Sequence, residues 1–224
     1  MVDNDSATEP AMTTSRLVVA AFLGLLAPLA HAEVKQSAAD SFFVSFTEPV
    51  AASASKAYVD ITQIQRWWSS EHTWSGKASN LSLKPEAGGC FCERWKDGSA
   101  EHGHVIMALP GKLLRVEAAL GPLQEFALKG ILSFWVKSAE DGTTTVTVEY
   151  RVNGSSASGL DTFAPSVDEV IGLQVARLKR YIGTGNPEPP AEPDADKKGD
   201  TPPADAKAAK PKPKATKPAA TPKK

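Results

Sequence analysis

The end of the predicted globular part reads TTTVTVEYRVN at residues 143–153 and PSVDEVIGLQVARLKRYIG at residues 165–183. In the first stretch, apolar and polar residues alternate from Val146 to Val152, which is typical of a strand with one buried face. In the second, apolar residues recur at helical spacing. The predicted helix face carries Val167, Val170, Ile171, Gln174, Leu178 and Tyr181. Because each element must bury its apolar face, the pair predicts an α+β fold with the helix against an antiparallel sheet.

Terminal signals set the predicted ends of the long helix. Pro165 suits a first helical turn, and Ser166 with Glu169 makes a capping box. Gly183 supplies a stop. We therefore predict a helix over residues 165–183.

Further strands and short helices precede this pair. Phe42, Val44 and Phe46 alternate with smaller or polar neighbours, which predicts a first strand. One or two short helices are predicted within residues 53–68, where apolar residues fall at helical spacing. Turns at Gly-Gly, Asp-Gly and Pro-Gly pairs then separate six strands. These strands are predicted near residues 79–86, 90–96, 100–109, 112–120, 127–139 and 143–153.

Short motifs spread over residues 40–182 resemble a known superfamily. They are RWW (66–68), HTWSG (72–76), GGCFCE (88–93), DG (97–98), HGHV (102–105), LGPL (120–123) and RLK (177–179). These stretches resemble START-like domains, also called SRPBCC or polyketide cyclase-like, near the group similar to the Hsp90-activator C-terminal domain. The resemblance implies a helix-grip fold, in which a curved antiparallel sheet of about seven strands wraps a long C-terminal helix around a cavity. It implies lipid, hormone or polyketide binding, or a co-chaperone role, without choosing among them.

The N-terminal residues have the pattern of a secretory signal. Arg16 precedes an apolar run at residues 17–29, and Ala30-His31-Ala32 makes an A-x-A cleavage site. We predict a signal peptide over residues 1–32 and a mature protein that begins at Glu33 and is periplasmic or secreted. An uncleaved membrane anchor is the alternative interpretation of the same run.

Composition separates a domain at residues 33–183 from a Pro/Ala/Lys-rich tail at residues 184–224. The tail has no aromatic residue and a net charge of +3, so we predict that it is disordered. Weak contacts of its lysines with anionic surfaces are a further hypothesis. The domain has a net charge of −2. Without a strong positive field, it is not expected to bind nucleic acid.

Aromatic residues supply the first candidate site. We predict that Trp68, Trp74, Phe91 and Trp95 line the cavity, because tryptophans in a concavity suit flat or apolar ligands. The alternative is that these rings only pack the short helices onto the sheet, which is the interpretation favoured for Trp67.

An acidic residue lies among these aromatics. Glu93 is in strand phase with Phe91 and Trp95, so we predict that it also lines the cavity as a ligand-binding residue. There an apolar surrounding would raise its pKa and suit it to acid/base chemistry. The opposite strand phase would make it an ordinary surface glutamate. His72 is a second catalytic candidate.

Two pairs of potential metal ligands flank the turn near Gly98. A three-residue loop at residues 96–98 with a left-handed Gly98 would place Cys92 opposite His102 and Cys90 opposite His104. Four such side chains on one face resemble a zinc site, although the i, i+2 spacing is unusual for one. A disulfide between the cysteines is a second alternative. We predict two buried free thiols.

Catalytic motifs for nucleophilic, phosphate or zinc-protease chemistry do not occur in the sequence. We predict an exported protein that binds a small hydrophobic ligand between sheet and C-terminal helix and uses no cofactor. One alternative is a cyclase- or aromatase-type enzyme using Glu93 and His72 in the same pocket. The other is a protein-interaction module like the Hsp90-activator domain.

Overall fold

The computed structural model describes residues 34–190 of the 224-residue chain. The strands are Val34–Ala38 (β1), Ser41–Val50 (β2), Leu81–Leu83 (β3), Cys90–Trp95 (β4), Gly98–Leu109 (β5), Leu113–Ala118 (β6), Lys129–Ser138 (β7) and Thr144–Asn153 (β8). The helices are Ala54–Thr62 (α1), Ile64–Trp67 (α2) and Leu160–Thr184 (α3). The predicted signal peptide at residues 1–32 lies outside the described residues, as does the predicted tail from residue 191 onward.

One curved sheet contains all eight strands in the order β1-β2-β8-β7-β6-β5-β4-β3. Every neighbouring pair is antiparallel. The long helix α3 packs mainly along β2 and β1, while α1 covers part of β7 and β8. This architecture is the predicted α+β helix-grip fold.

Alternating side chains in the central strands build the core. Val146, Val148, Tyr150 and Val152 of β8 are buried, whereas Arg151 between them is exposed. On β2, Phe42, Val44 and Phe46 are buried in the same alternating way. The strand predictions from alternation are therefore confirmed at the centre of the sheet.

The two short helices follow from a break at Gln63. Ser53 caps α1 by accepting a hydrogen bond from the backbone N–H of Lys56, and Ala57 and Ile61 are fully buried. The backbone at Gln63 leaves helical geometry, and Ile64 begins α2. The prediction of one or two short helices is confirmed.

The first strand was not foreseen as a separate element. β1 pairs with β2 alone, and most of its residues are exposed. Its sequence, VKQSA, has no apolar alternation, because an exposed edge strand buries no face. The predicted strand at residues 79–86 is shorter than expected and consists of Leu81–Leu83.

Both predicted ends of the long helix are wrong. It begins at Leu160, so Pro165 lies inside it and Ser166 is no cap. Leu160 and Ala164 are fully buried and hold the first turns, although Pro165 provides no N–H for the helical ladder. The helix passes Gly183 and ends at Thr184. The next residue, Gly185, has a φ of 77°, the left-handed conformation that favours glycine after a helix.

The long helix also contacts residues beyond 183, the predicted end of the domain. Arg177 pairs with Glu188 at 2.8 Å, and the Arg180 Nε donates to the carbonyl of Pro187 at 2.7 Å. Among the described residues, one compact unit reaches Glu188. Of the helices within residues 34–190, none is long and apolar enough to span a membrane.

Two glycines provide a matched test of the packing around β7. A Cβ at Gly130 would overlap the carbonyl oxygen of Ala118 and meet the Tyr150 hydroxyl at 2.9 Å, whereas a Cβ at the helical Gly183 meets nothing within 4 Å. We predict that Gly130→Ala lowers the free energy of unfolding by about 2 kcal/mol, because overpacking displaces neighbouring backbone. Gly183→Ala should leave it unchanged or raise it by up to about 1 kcal/mol, since alanine favours helix.

Urea unfolding of both variants and the parent protein checks this pair. Equal stability of Gly130→Ala and the parent would contradict the close approach of Tyr150 and β6 to Gly130.

Candidate functional site

A cavity of about 380 Å³ lies between the sheet, the helix α3 and two loops. Its buried wall includes Phe91 of β4, His102 of β5, Tyr150 of β8 and Ile171 of α3. The other lining residues are Trp68, Glu71, His72, Thr73, Trp74, Leu120, Gly121, Pro122, Leu123, Phe163, Ser166, Val167 and Val170. Most of this surface is apolar, so the cavity suits a molecule with a large apolar part.

The loop after α2 forms one wall and is anchored to α3. Gln174 accepts a hydrogen bond from the Ser69 N–H at 2.8 Å, and Arg177 Nε donates to the Trp67 carbonyl at 2.8 Å. The Trp68 indole N–H donates to the His72 carbonyl at 2.9 Å. Because this N–H already has a partner, Trp68 offers the cavity an apolar ring, and no free polar group.

The loop after β6 forms the opposite wall and is fixed by Tyr150. The Tyr150 hydroxyl donates to the Ala118 carbonyl at 3.0 Å and accepts from the Leu120 N–H at 3.2 Å. Burial, only partly offset by the Leu120 bond, raises the pKa of this phenol, which therefore stays neutral. Its two bonds hold the start of this loop, at Leu120, beside the cavity.

A buried carboxylate connects the first loop to the sheet. Glu93 is fully buried on β4. It accepts hydrogen bonds from the backbone N–H of Trp74 at 3.0 Å and from that of Ser75 at 2.6 Å. Its Oε2 also lies 3.0 Å from His102 Nε2. Glu93 thus positions both the Trp74 loop and the His102 ring, although it does not itself line the cavity.

The charge state of Glu93 differs from the sequence prediction. Burial alone would raise the pKa of this carboxyl group, but the hydrogen bonds from Ser75, Trp74 and His102 outweigh burial and lower it. The predicted raised pKa is therefore wrong, because three donors already satisfy the ionised form. Glu93 lies inside the fold, but it is not among the residues that line the cavity.

The neighbouring imidazole is neutral at physiological pH. Burial lowers the pKa of His102 below its ordinary value of 6.5, and this effect exceeds the opposing influence of the Glu93 hydrogen bond and charge. The His102 ring also packs on Phe91, with ring centroids 4.9 Å apart. The site therefore combines an ionised carboxylate with a neutral imidazole.

The cysteines on β4 form a disulfide, so the prediction of two free thiols is wrong. The register with β5 is irregular between Phe91 and Cys92. The Cα atoms of Cys90 and Cys92 are 5.4 Å apart, closer than the roughly 6.5 Å between alternate residues of a regular strand. This local contraction brings the pair into the usual range of disulfide Cα distances.

The predicted turn between β4 and β5 is also different. The loop has two residues, Trp95 pairs with Gly98, and Cys92 lies opposite Glu101. Gly98 is not left-handed, contrary to the prediction. The pairing of Cys90 with His104 is as predicted.

The zinc alternative does not correspond to this arrangement. The two cysteines are joined to each other, and His102 pairs with Glu93. His104 is about half exposed, and its Nδ1 lies 3.4 Å from Oε1 of Glu101. Within residues 34–190, no three His, Cys, Asp or Glu side chains are grouped so that they could hold a metal ion.

The remaining predicted site residues divide between the cavity and its surroundings. Trp68 and Phe91 line the buried part, while the exposed His72 and the half-exposed Trp74 lie at the rim. Trp95 does not line the cavity, because it ends β4 at the hairpin, where its ring packs over Gly98.

The sequence does not indicate the structural roles of two residues at the site, His102 and Tyr150. The sequence pattern presents His102 only as a potential metal ligand and Tyr150 only as a member of an alternating strand. The proximity of His102 to Glu93 depends on the register of the β4–β5 hairpin. An inward-facing tyrosine in β8 was visible in the sequence, but its partners, Ala118 and Leu120, were not.

Comparisons with known proteins give similarity of structure alone. No family model and no curated protein matches this chain. It is similar to EF2215 of Enterococcus faecalis, a conserved protein of unknown function, with 12% identity, a TM-score of 0.49, and coverage of 69% of this chain and 77% of that chain. CalU16 of Micromonospora echinospora has 15% identity, a TM-score of 0.46, and coverage of 66% and 78%. DynU16, a protein of the dynemicin biosynthetic locus, has 18% identity, a TM-score of 0.48, and coverage of 65% and 48%.

The lowered pKa values of His102 and Glu93 predict a loss of stability in acid. The unfolded chain takes up protons at these groups at a higher pH than the folded chain does, so unfolding is favoured as pH falls. The His102 contribution should be complete above about pH 6.5 and be lost below it, and the Glu93 contribution should be lost below about pH 4.5. Urea unfolding at a series of pH values measures both.

His102→Asn separates the two contributions, since an asparagine amide can still donate to Glu93 without titrating. The variant should lose the part of the pH dependence that the parent shows between about pH 5 and 7. An unchanged slope in that interval would mean that His102 is not the group responsible.

Proposed function

We propose that this protein binds a small, largely apolar molecule in the cavity between its sheet and α3. The observation that carries this proposal is the chemistry of the cavity wall. Phe91, Trp68, Leu123 and Ile171 present apolar surface in a space that the side chains leave unfilled. A volume of about 380 Å³ is within the range of sites for small organic molecules.

Packing on α3 supports the same proposal. Ile171, Leu178 and Tyr181 are buried, but Val167 and Val170 on the same predicted face are only partly buried and line the cavity. Val167 and Val170 still expose apolar surface to the cavity. A bound apolar ligand would bury that surface, which is energetically favourable. The START-like relationship is part of the proposal and is supported by the helix-grip architecture.

Export remains part of the proposal. Disulfides persist mainly in oxidising compartments, so the Cys90–Cys92 bond supports a periplasmic or secreted location. N-terminal sequencing of the mature protein should read Glu33-Val34-Lys35. Recovery of a mature form that retains residues 17–29 would contradict a cleaved signal peptide.

Two partly exposed tryptophans provide a matched test of ligand binding. Trp74 lines the cavity and is 49% exposed, whereas Trp135 is 39% exposed and packs against Arg115. With the neutral fluorescent probe N-phenyl-1-naphthylamine, Trp74→Ala should weaken binding by about 1 kcal/mol, because it removes one aromatic wall. Trp135→Ala should leave the affinity unchanged. Fluorescence titration measures both.

Stability measurements show whether Trp74→Ala weakens binding by removing a ligand contact or by destabilising the fold. Leu178→Ala in the core should lower the free energy of unfolding by about 2–5 kcal/mol, and Trp74→Ala by clearly less. If the parent protein binds no probe and Trp74→Ala unfolds the chain, the aromatics are core residues and the binding proposal is wrong.

A further inference from the structure

The buried part of the cavity wall contains three side chains with polar atoms, Trp68, His102 and Tyr150. The Trp68 indole N–H already donates to the His72 carbonyl. The Tyr150 hydroxyl already donates one hydrogen bond and accepts another within the protein. It therefore has little to offer a ligand. His102 uses one ring nitrogen, Nε2, toward Glu93.

The partner of Nε2 decides which nitrogen of His102 carries the proton. Glu93 is fully buried and accepts two backbone N–H groups in addition to its contact with His102. An ionised carboxylate can only accept, so the neutral His102 donates its Nε2–H to Glu93. The other nitrogen, Nδ1, then bears a lone pair and is an acceptor.

This acceptor has no protein donor among the described residues. The hydrogen bond of the His102 ring within residues 34–190 is the one to Glu93. His102 lines the cavity, while Glu93, which binds Nε2, does not. Nδ1 is therefore the hydrogen-bonding atom of the ring that remains for a molecule in the cavity.

We propose that His102 Nδ1 is the polar recognition point of the cavity and selects an apolar ligand that carries a hydroxyl group, such as a phenol. Its hydroxyl hydrogen is donated to Nδ1 while its rings occupy the apolar wall around Phe91 and Ile171. Glu93 is a positioning residue, because it fixes the ring and its tautomer without touching the ligand. This inference rests on the proposed function and names the chemical class of the ligand.

A pair of probes of nearly equal size tests the selectivity. 2-Naphthol can donate a hydrogen bond, whereas 2-methoxynaphthalene cannot. Calorimetric titration of the parent protein should show about tenfold tighter binding of 2-naphthol, the scale expected for one buried hydrogen bond and the acceptor left unpaired without it. Equal affinity for the two probes would overturn the inference and leave the binding proposal standing. Failure of both probes to bind would overturn both.

Three variants separate recognition from packing. His102→Phe keeps an aromatic ring beside Phe91, so it should abolish the preference for 2-naphthol while binding 2-methoxynaphthalene within about threefold of the parent. His104→Phe is the matched control on the same strand, does not line the cavity, and should retain the preference. Glu93→Leu removes the acceptor that holds the proton on Nε2, so the tautomer is no longer fixed and the preference should fall.

The ring tautomer can be observed directly in the parent protein, independently of whether a variant folds. In ¹⁵N NMR spectra of the imidazole, His102 should have a protonated Nε2 and an unprotonated Nδ1. The Nδ1 resonance should shift on addition of 2-naphthol and stay nearly unchanged with 2-methoxynaphthalene. A protonated Nδ1 in the parent protein, or equal responses to both probes, would overturn the inference.

Discussion

A single helix cannot cover the sheet of this protein. Eight strands spaced at about 4.8 Å span roughly 34 Å, whereas a helix with its side chains is about 10–12 Å wide. Because α3 packs mainly along β2 and β1, the rest of the concave face must be covered by short helices and loops, and by the sheet curving around the helix. The cavity is the space that these smaller elements leave open beside Val167 and Val170 of α3.

The loops that close this space depend on a few buried polar contacts. Glu93 holds the backbone at Trp74 and Ser75, and the Tyr150 hydroxyl holds the opposite loop at Leu120. Such contacts are directional, unlike apolar packing, so they fix loop positions without filling the space between them. The same carboxylate orients His102 at the cavity wall. Fold and site are therefore connected through one buried acidic residue.

The sequence predicts the structure correctly where buried residues recur at a regular spacing, and it is misleading where they do not. Alternation on β2 and β8 predicted the centre of the sheet, because every second residue there meets the core. The edge strand β1 carries no such pattern. The Cys90–Cys92 disulfide depends on the irregular register between Phe91 and Cys92, and no residue pattern in the sequence predicts that irregularity. Pro165 indicates a helix start, because it has no N–H to donate. The helix nevertheless begins at Leu160, because the burial of Leu160 and Ala164 outweighs the missing hydrogen bond. That burial depends on tertiary packing, which the local sequence does not show.

The central claim is that an apolar molecule binds between the sheet and α3. The most direct measurement is an NMR experiment on protein with labelled valine and isoleucine methyl groups, in the presence of N-phenyl-1-naphthylamine. The account predicts intermolecular NOEs from the probe to Val167, Val170 and Ile171, which line the cavity, and none to the exposed Ile106. NOEs to Ile106 with none to Val167, Val170 and Ile171 would contradict it.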